Sequence, residues 1–558
     1  MDEGFGKIIK TLFSFKMTKS KTLRQIFAEL PAPFTQANAP DVSITGISID
    51  SRAVKPGHLF VALKGGSVDG NEYIPKAIDA GAAAVVGDRD ISGLSVPYIR
   101  LEHPRRALTW IAGSFYDWPG RKLTVIGVTG TDGKTTTTNL LYQILREASI
   151  KAGMVSTVNA VIGDEVLDTG FHVTTPDAHD VQAYLARMVD AGLTHVVLET
   201  TSHGWAQYRV DACEFDIGVV TNITHEHMDE HGSYENYRAA KARLFSSLEI
   251  TQPKPQGNPR LAVFNRDDVK SFDFLNGFIN VNKVNYGLQD GADVRAIDIE
   301  FSPSGLQFTA ISPDFRVGIS SKLVGAYNIS NCLAALSAAV YGLGIQPEVA
   351  ARGIATLDGI PGRMERIDMG QNFTAIVDFA HTPNALKVTL EAAREMLTHG
   401  RVGQRPDPTM GPRVIAVFGS AGLRDKAKRR MMAETSAELA DLTILTAEDP
   451  RTESLDGILE EMAVGARSKG GRERETFWRV PDRGEAIRFA LRQARPGDIV
   501  LSCGKGHEQS MCFGGREHLW DDRTAMRAAL AEYLGVEGPS MPYLPTQDTE
   551  EMEWLAWK

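Results

Sequence analysis

The stretch GVTGTDGKTTTTNLL, Gly127 to Leu141, decides how the rest of the chain is read. An apolar run, "LTVIGVTG", leads into a glycine-rich turn, a lysine and a threonine-rich helix start. This is the physical recipe for holding polyphosphate, because backbone N–H groups of the turn and the positive end of the helix face the anion. Lys134 adds a point charge and the Thr135 hydroxyl can ligate magnesium. One detail departs from the common phosphate loop, G-x-x-x-x-G-K-[ST]. Counting back from Gly133-Lys134-Thr135 lands on Val128 where a glycine is usual.

Outward from the loop, the chain repeats apolar strand, polar loop and helix: "HVVLETTSH" and then "FDIGVVTNITHEH". Continuous apolar strands ending in small polar residues predict a buried parallel sheet with ligands at the strands' carboxyl ends. The same rhythm returns in "FTAIVDFAHTP", "RVIAVFGSAGLRDKAKRR", "LTILTAEDPRTES" and "DIVLSCGKGHE", predicting a second doubly wound sheet. Before the loop, short runs such as "HLFVAL" and "AAAVVGD" between glycines and prolines predict a small mixed α/β domain. The expected division is 22–121, 122–359 and 360–535, with 536–558 a Pro-rich, acidic and flexible tail carrying Trp554 and Trp557. The Pro- and Gly-rich "TQPKPQGNPR", Thr251 to Arg260, reads as a loop inside the second domain.

A length of 558 residues exceeds what one core organises. The net charge of −10 argues against a general nucleic-acid binder, so anionic ligands must meet local positive sites. Cys213, Cys332, Cys503 and Cys512 are scattered without a C-x-x-C pair, which suggests neither a disulfide framework nor a zinc site and fits a reducing cytoplasm. The opening residues have their apolar runs broken by Lys10 and Lys16 and no small-residue cleavage site. They read as an extension, with Met17 an alternative start. No run approaches the roughly 18 apolar residues a membrane helix needs.

The altered loop spacing resembles that of the Mur ligase superfamily, where G-T-x-G-K-T-T follows a strand. Distant segments carry the same resemblance. "LETTSHGWAQYR" is similar to E-x-S-S-H-x-L-x-Q-x-R, and "TNITHEHMDEHG" to TN-x-T-x-D-H-x-D-x-H-G. "GAYNISNCLAA" and "VDFAHTPNAL" match further segments, and "ISIDSRAVKPGHLFVALKGG" resembles the uridine-nucleotide domain of the family's tripeptide-synthetase branch. The resemblance implies three α/β domains: a small N-terminal uridine-nucleotide domain, a central P-loop ATPase-like parallel sheet and a C-terminal Rossmann-like domain. It also implies ATP-dependent C–N bond formation through an acyl phosphate. The product would be UDP-N-acetylmuramoyl-tripeptide for peptidoglycan, made from UDP-N-acetylmuramoyl-dipeptide and a diamino acid by a cytoplasmic monomer. Two rivals stand beside this reading: a ligase of the same core with another acceptor, such as a folate, and a nucleotide-binding partner subunit without ligase activity.

Residue roles follow from the same resemblance. Gly130, Thr131, Gly133, Lys134, Thr135 and Thr136 would cradle ATP, joined by Asn222, Asn328 and Asn331 and, from the third domain, by Arg363, Asp378 and His381. Glu199 and His227, each after a buried-type strand, would ligate Mg2+ with Thr135; taken alone, each also suits a satisfied polar core residue. Lys241 matches a lysine that is carbamylated in the family, and N6-carboxylysine there would turn a cation into a metal-holding anion. Lys134, Glu199, His227 and Lys241 are thus the expected catalytic set. Ser51 and Arg52 would meet the uridine nucleotide, while Thr174, Thr175, Thr201, Gln207 and Arg209 would hold the muramyl-dipeptide part, with Val173 in place of a usual asparagine.

The incoming amino acid is expected at Glu448, Asp449, Arg451, Gly504 and Glu508. "AEDPRTE" departs there from the family's D-D-N-P-R-x-E, because Asp449 replaces an asparagine. Arg451 suits a distal carboxylate and so meso-diaminopimelate. The added carboxylate of Asp449 suits a side chain ending only in an ammonium, as in L-lysine or L-ornithine. Asp449 would also silence Arg451 if the two paired.

Overall fold

The computed structural model describes residues 20–65, 68–167, 175–224, 231–302, 305–398 and 411–548. The N-terminal extension with Met17, Thr174, His227, Trp554 and Trp557 therefore lie outside the described residues. The first domain carries a four-stranded parallel sheet, β1 (Gly46–Ser48), β2 (His58–Val61), β3 (Ala84–Gly87) and β4 (Tyr98–Arg100), in that spatial order. The amphipathic helix α1 (Pro104–Phe115) buries Ala107, Leu108, Ile111 and Ala112 in the same core as β2 and β3.

The second domain is built on β5 (Thr124–Thr129), six residues buried on both faces, followed through the glycine turn by α2 (Lys134–Glu147). Its other strands are β6 (Ala152–Val155), β7 (Ala160–Ile162), β8 (Glu165–Leu167), β9 (His195–Glu199), β10 (Ile217–Val220), β11 (Leu261–Asn265) and β12 (Asn282–Gly287). A meander, β13 (Val294–Ser302), β14 (Gly305–Ile311) and β15 (Arg316–Ser321), completes an eleven-stranded sheet in the order β8-β7-β6-β9-β5-β10-β11-β12-β13-β14-β15. The helices α3 (Tyr234–Ile250) and α4 (Tyr327–Ser337) pack on it. The run from β6 to β13 is parallel, as its continuous apolar strands predict. Both ends turn antiparallel, which the sequence reading did not anticipate. The reason lies in β15, where exposed and buried residues alternate from Arg316 to Ser321: a strand with one wet face needs no helix over it.

The third domain has β16 (Glu365–Ile367), β17 (Thr374–Asp378), β18 (Val414–Phe418), β19 (Leu442–Leu445), β20 (Phe477–Arg479) and β21 (Ile499–Cys503), with α5 (Pro383–Thr398), α6 (Arg483–Gln493) and α7 (Asp522–Leu534). The spatial order is β16-β17-β21-β18-β19-β20, all parallel except β16. β21, the last strand of this sheet in chain order, inserts between β17 and β18. The loops after β17, β18, β19 and β21 therefore collect at one carboxyl-terminal edge.

The expected flexible tail is corrected over its first part. Leu544 is fully buried with the third domain's core, Met541 packs against that cluster, and the Thr546 hydroxyl donates to Asp482 Oδ2 at 2.6 Å. Apolar side chains among the prolines supply the anchor that composition hid. No helix among the described residues is long and apolar enough to cross a membrane.

The loop from Thr251 to Arg260 is pinned by a buried charge. Lys254 Nζ donates to the carbonyls of Leu123 and Glu214 and pairs with Asp216, both side chains being 0 % exposed. Asp216 in turn accepts from the Val125 backbone N–H at the edge of β5. Removing one partner of such a pair strands the other charge in the interior. Lys254→Met is expected to destabilise the second domain by about 3–5 kcal/mol, read as a lowered denaturant midpoint.

Candidate functional site

The strand register sets the geometry. β9 lies beside β5 with Glu199 opposite Val128, and β10 flanks the other side with Val219 opposite Val128. Chain connections diverge to either side of β5, so its carboxyl end faces a crevice, and the phosphate loop sits there. Val128 is itself buried inside β5, so the position that is glycine in the common loop belongs here to the strand. The turn begins later, at Gly130.

Two close approaches shape it. Gly130 (φ 152°) lies so near β10 that an added Cβ would stand 1.8 Å from Thr221 Oγ1. Gly133 (φ 80°) leaves 2.3 Å between such a Cβ and Asn331 Oδ1. Only glycine meets both the left-handed φ at Gly133 and these contacts. Asn222 holds the loop from outside, accepting the Thr131 N–H on its carbonyl at 2.7 Å and the Asp132 N–H on Oδ1 at 2.9 Å. Asn331 Nδ2 donates to Asn328 Oδ1 at 2.9 Å, and Asn328 Nδ2 to the Val324 carbonyl at 2.7 Å. The three asparagines thus shape and back the loop as well as facing the cavity.

A cavity of about 940 Å³ opens over the loop and continues to the third domain. Lys134, Thr135, Glu199, Lys241, Arg363, Asp378, His381 and the five residues expected for the amino acid all line it, as do Thr175, Thr201, Gln207 and Arg209. Ser51 and Arg52 do not: they follow β1 in the first domain, and Arg52 is engaged by Asp50 at 2.7 Å. Gly130 is spent on its approach to β10 and does not line the cavity either.

Glu199 is 1 % exposed and accepts Thr135 Oγ1 at 3.0 Å, Thr157 Oγ1 at 2.8 Å and the Thr157 N–H at 2.8 Å. Thr157 was not singled out from the sequence, although it follows the apolar end of β6 as a small polar residue. Lys134 Nζ donates to the Thr131 carbonyl at 2.8 Å. Lys241, 2 % exposed, donates to the Gly130 carbonyl at 2.6 Å and lies 4.5 Å above the Tyr237 ring. Tyr237 closes the group through Thr131 Oγ1 at 2.9 Å. These hydroxyl and carboxylate oxygens are hard donors that suit Mg2+. Among the described residues no three or more His, Cys, Asp or Glu side chains group closely enough to hold a metal ion by themselves.

On the third-domain side, the Asp378 carboxylate accepts the Met364 and Ala380 N–H groups at 2.7 and 2.9 Å and Thr389 Oγ1 at 3.1 Å, fixing the turn that presents His381. His381 lies 4.5 Å from the Phe379 ring, over which the Arg363 guanidinium stacks at 4.3 Å. Burial in the cleft, with the Lys428 charge second, pushes the His381 imidazole down to about 3, so it is neutral near pH 7. Asn384 Nδ2 reaches Asp132 Oδ2 at 3.3 Å, linking the start of α5 to the phosphate loop.

At the residues expected for the amino acid, the fold gives Asp449 a partner that neither sequence alternative named. Asp449 pairs with the fully buried Lys505 at 3.1 Å and accepts the Cys512 N–H at 2.9 Å. Lys505 also reaches Glu508 at 2.5 Å. Burial opposes its charge, yet Glu508 and Asp449 hold the ammonium above its usual value. Arg451 makes no ion pair among the described residues, so Asp449 does not silence it. Asp449 (φ 40°) and Arg451 (φ 55°) both occupy the left-handed region on either side of Pro450, a costly arrangement that surrounding bonds must over-determine. Arg451 is held by its N–H on the Cys512 carbonyl at 3.0 Å and its own carbonyl on the Gly514 N–H at 2.7 Å. Glu448 is 6 % exposed with no hydrogen-bond partner on Oε2, and burial raises its carboxyl above the usual range. Lys505 lies within "GKGHE" with no role the sequence suggests; only its pairing with Asp449 and Glu508 reveals one.

Comparison with known proteins accords with this geometry. The Mur ligase middle-domain profile matches residues 128–339, the Mur ligase glutamate ligase domain residues 362–506, and the Mur ligase family catalytic domain residues 43–116. A UDP-N-acetylmuramyl-tripeptide synthetase of Roseiflexus sp. is 42 % identical over 525 residues, covering 92 % of this chain and 100 % of the relative. A UDP-N-acetylmuramoyl-L-alanyl-D-glutamate–2,6-diaminopimelate ligase of Geobacillus thermodenitrificans is 38 % identical over 510 residues, covering 91 % and 99 %. A solved structure of a 2,6-diaminopimelate ligase of the same kind aligns with a TM-score of 0.61 at 29 % identity, covering 92 % of this chain and 99 % of that one. With its three α/β domains and a phosphate loop set at the switch point of the central sheet, the chain belongs to the Mur ligase family of ATP-dependent, C–N bond-forming ligases.

Proposed function

We propose that this ligase joins meso-diaminopimelate, in preference to L-lysine or L-ornithine, to the D-glutamyl carboxylate of UDP-N-acetylmuramoyl-L-alanyl-D-glutamate, making the tripeptide precursor of peptidoglycan. One observation carries the choice of amino acid: Asp449 spends its charge on Lys505 and leaves the Arg451 guanidinium open to the cavity. A free guanidinium pairs bidentately with a carboxylate, which diaminopimelate offers at its distal end and lysine lacks. Glu448, whose Oε2 has no partner, lines the same cavity and suits its distal amine.

The chemistry follows from the residues in place. Backbone N–H groups from Gly133 to Thr135, at the start of α2, receive the phosphates, and Lys134 exchanges its bond to the Thr131 carbonyl for a phosphate oxygen. The glutamyl carboxylate, positioned by Thr175, Thr201 and Arg209, attacks the γ-phosphorus and ADP leaves. The amine then attacks the acyl carbon, and the tetrahedral intermediate collapses to the amide with loss of phosphate. Thr135, Glu199, His227 and a carbamylated Lys241 would hold Mg2+, which supplies charge neutralisation at the phosphates when bound. Addition of CO2 to the neutral Lys241 amine releases one proton and leaves an N–H, so the bond to the Gly130 carbonyl survives while two carboxylate oxygens are gained. The demand for ATP and a nucleotide-linked precursor, with the free cysteines, fits the cytoplasm.

Phosphate release with ATP, magnesium and the UDP-dipeptide, run separately with meso-diaminopimelate, L-lysine and L-ornithine and with product mass checked, tests the reading; diaminopimelate should turn over best. No turnover with any of the three, in protein that binds ATP, would move the acceptor elsewhere. Arg451→Ala is expected to raise KM for diaminopimelate by about 10–100-fold, the worth of a charge-assisted hydrogen bond, and to leave any use of lysine unchanged. Lys134→Ala should slow phosphate release by about 100-fold or more with little change in melting temperature. Lys241→Ala should lose activity that short carboxylic acids partly restore; full activity without them would refute the carbamate.

A further inference from the structure

Arg483 opens α6 and is fully withdrawn from solvent. It does not line the cavity, yet its guanidinium touches both loops of the amino-acid site. Nη1 donates to the Ala447 carbonyl at 3.1 Å and Nη2 to the Cys503 carbonyl at 2.8 Å. Those carbonyls belong to the residues immediately before Glu448 and Gly504. β19 and β21, from which the two loops spring, are not neighbours in the sheet, because β18 lies between them. No ladder therefore joins the loops, whose parent strands stand roughly 10 Å apart. A rigid planar fork with five donors can bridge that gap where a single ammonium cannot.

The fork is itself held. Nε and Nη2 reach Asp522 Oδ1 and Oδ2 at 2.7 and 2.6 Å, and Asp522 also accepts Trp520 Nε1 at 2.7 Å and Ser502 Oγ at 2.9 Å. The pair cancels its own charge, so Arg483 has none left for a substrate. The tolerance between the loops is small: a Cβ placed on Gly504 would lie 2.6 Å from Glu448 Oε2, the atom without a partner.

We propose that Arg483, held by Asp522, is a positioning residue that sets the spacing of the Glu448–Arg451 and Gly504–Glu508 loops for the incoming diamino acid. This rests on the amino-acid reading above.

The test is steady-state kinetics of the full-length protein with each of the three substrates varied in turn. Arg483→Met/Asp522→Asn removes both charges and keeps an acceptor for Trp520. Arg483→Lys keeps the charge but loses the fork. Both should raise KM for the diamino acid by about tenfold or more, the effect of misplacing binding groups by a fraction of an ångström, with KM for ATP and the UDP-dipeptide within about twofold. A merely structural role would lower the active fraction, and so kcat, without moving one KM alone. If the double variant fails to fold, Arg483→Lys decides. An unchanged amino-acid KM in a folded variant, with the wild type active, would overturn this inference alone. A wild type inactive with all three amino acids would overturn the underlying reading and this inference with it.

Discussion

Everything in the active cleft depends on how tightly the phosphate loop is wedged between β5, β10 and α4. Gly130 touches Thr221, and Gly133 touches Asn331, at distances no side chain at either position would permit. That wedging sets Thr135 against Glu199 and Lys241 against the Gly130 carbonyl. A loop pre-shaped by its neighbours needs little rearrangement when an anion arrives, which is the basis of electrostatic preorganisation.

The third domain solves a different problem, that of placing several like charges in one small, dry space. Glu448, Asp449 and Glu508 would repel one another if left alone. Lys505, without solvent exposure, stands between two of them, and Arg483 with Asp522 forms a second, self-neutral pair behind the third. Asp449 and Glu508 keep a fixed arrangement because Lys505 is their shared counter-charge, Glu448 stays buried with one oxygen unpartnered, and Arg451 has no such partner among the described residues.

Much of this was legible in the sequence, for reasons that differ by element. β5, β9 and β10 are buried on both faces and therefore read as unbroken apolar runs, and the polar residues at their ends mark the crevice. The alternating β15 and its neighbours carried a weaker signal and were not foreseen. Glu199 and Lys134 stood out because motif and strand context agree, and the fold brings both to the cavity. The fate of Asp449 was not readable, because a ligand ammonium and Arg451 were both reasonable partners and only the fold brings Lys505, fifty-six residues later, within reach. Arg483 carried no signal at all: a helix-starting arginine looks solvent-facing until the sheet order places it across β18.

The docked segment around Leu544 carries a practical consequence. Family motifs end well before it, and a chain cut after Gly535 would retain every residue assigned to substrate. Such a chain would also open an apolar hole where Leu544 sits and remove the Thr546 hydroxyl from Asp482, the cap of the helix that begins with Arg483. The boundary of the functional unit is thus set by packing, and it lies beyond the last recognisable motif.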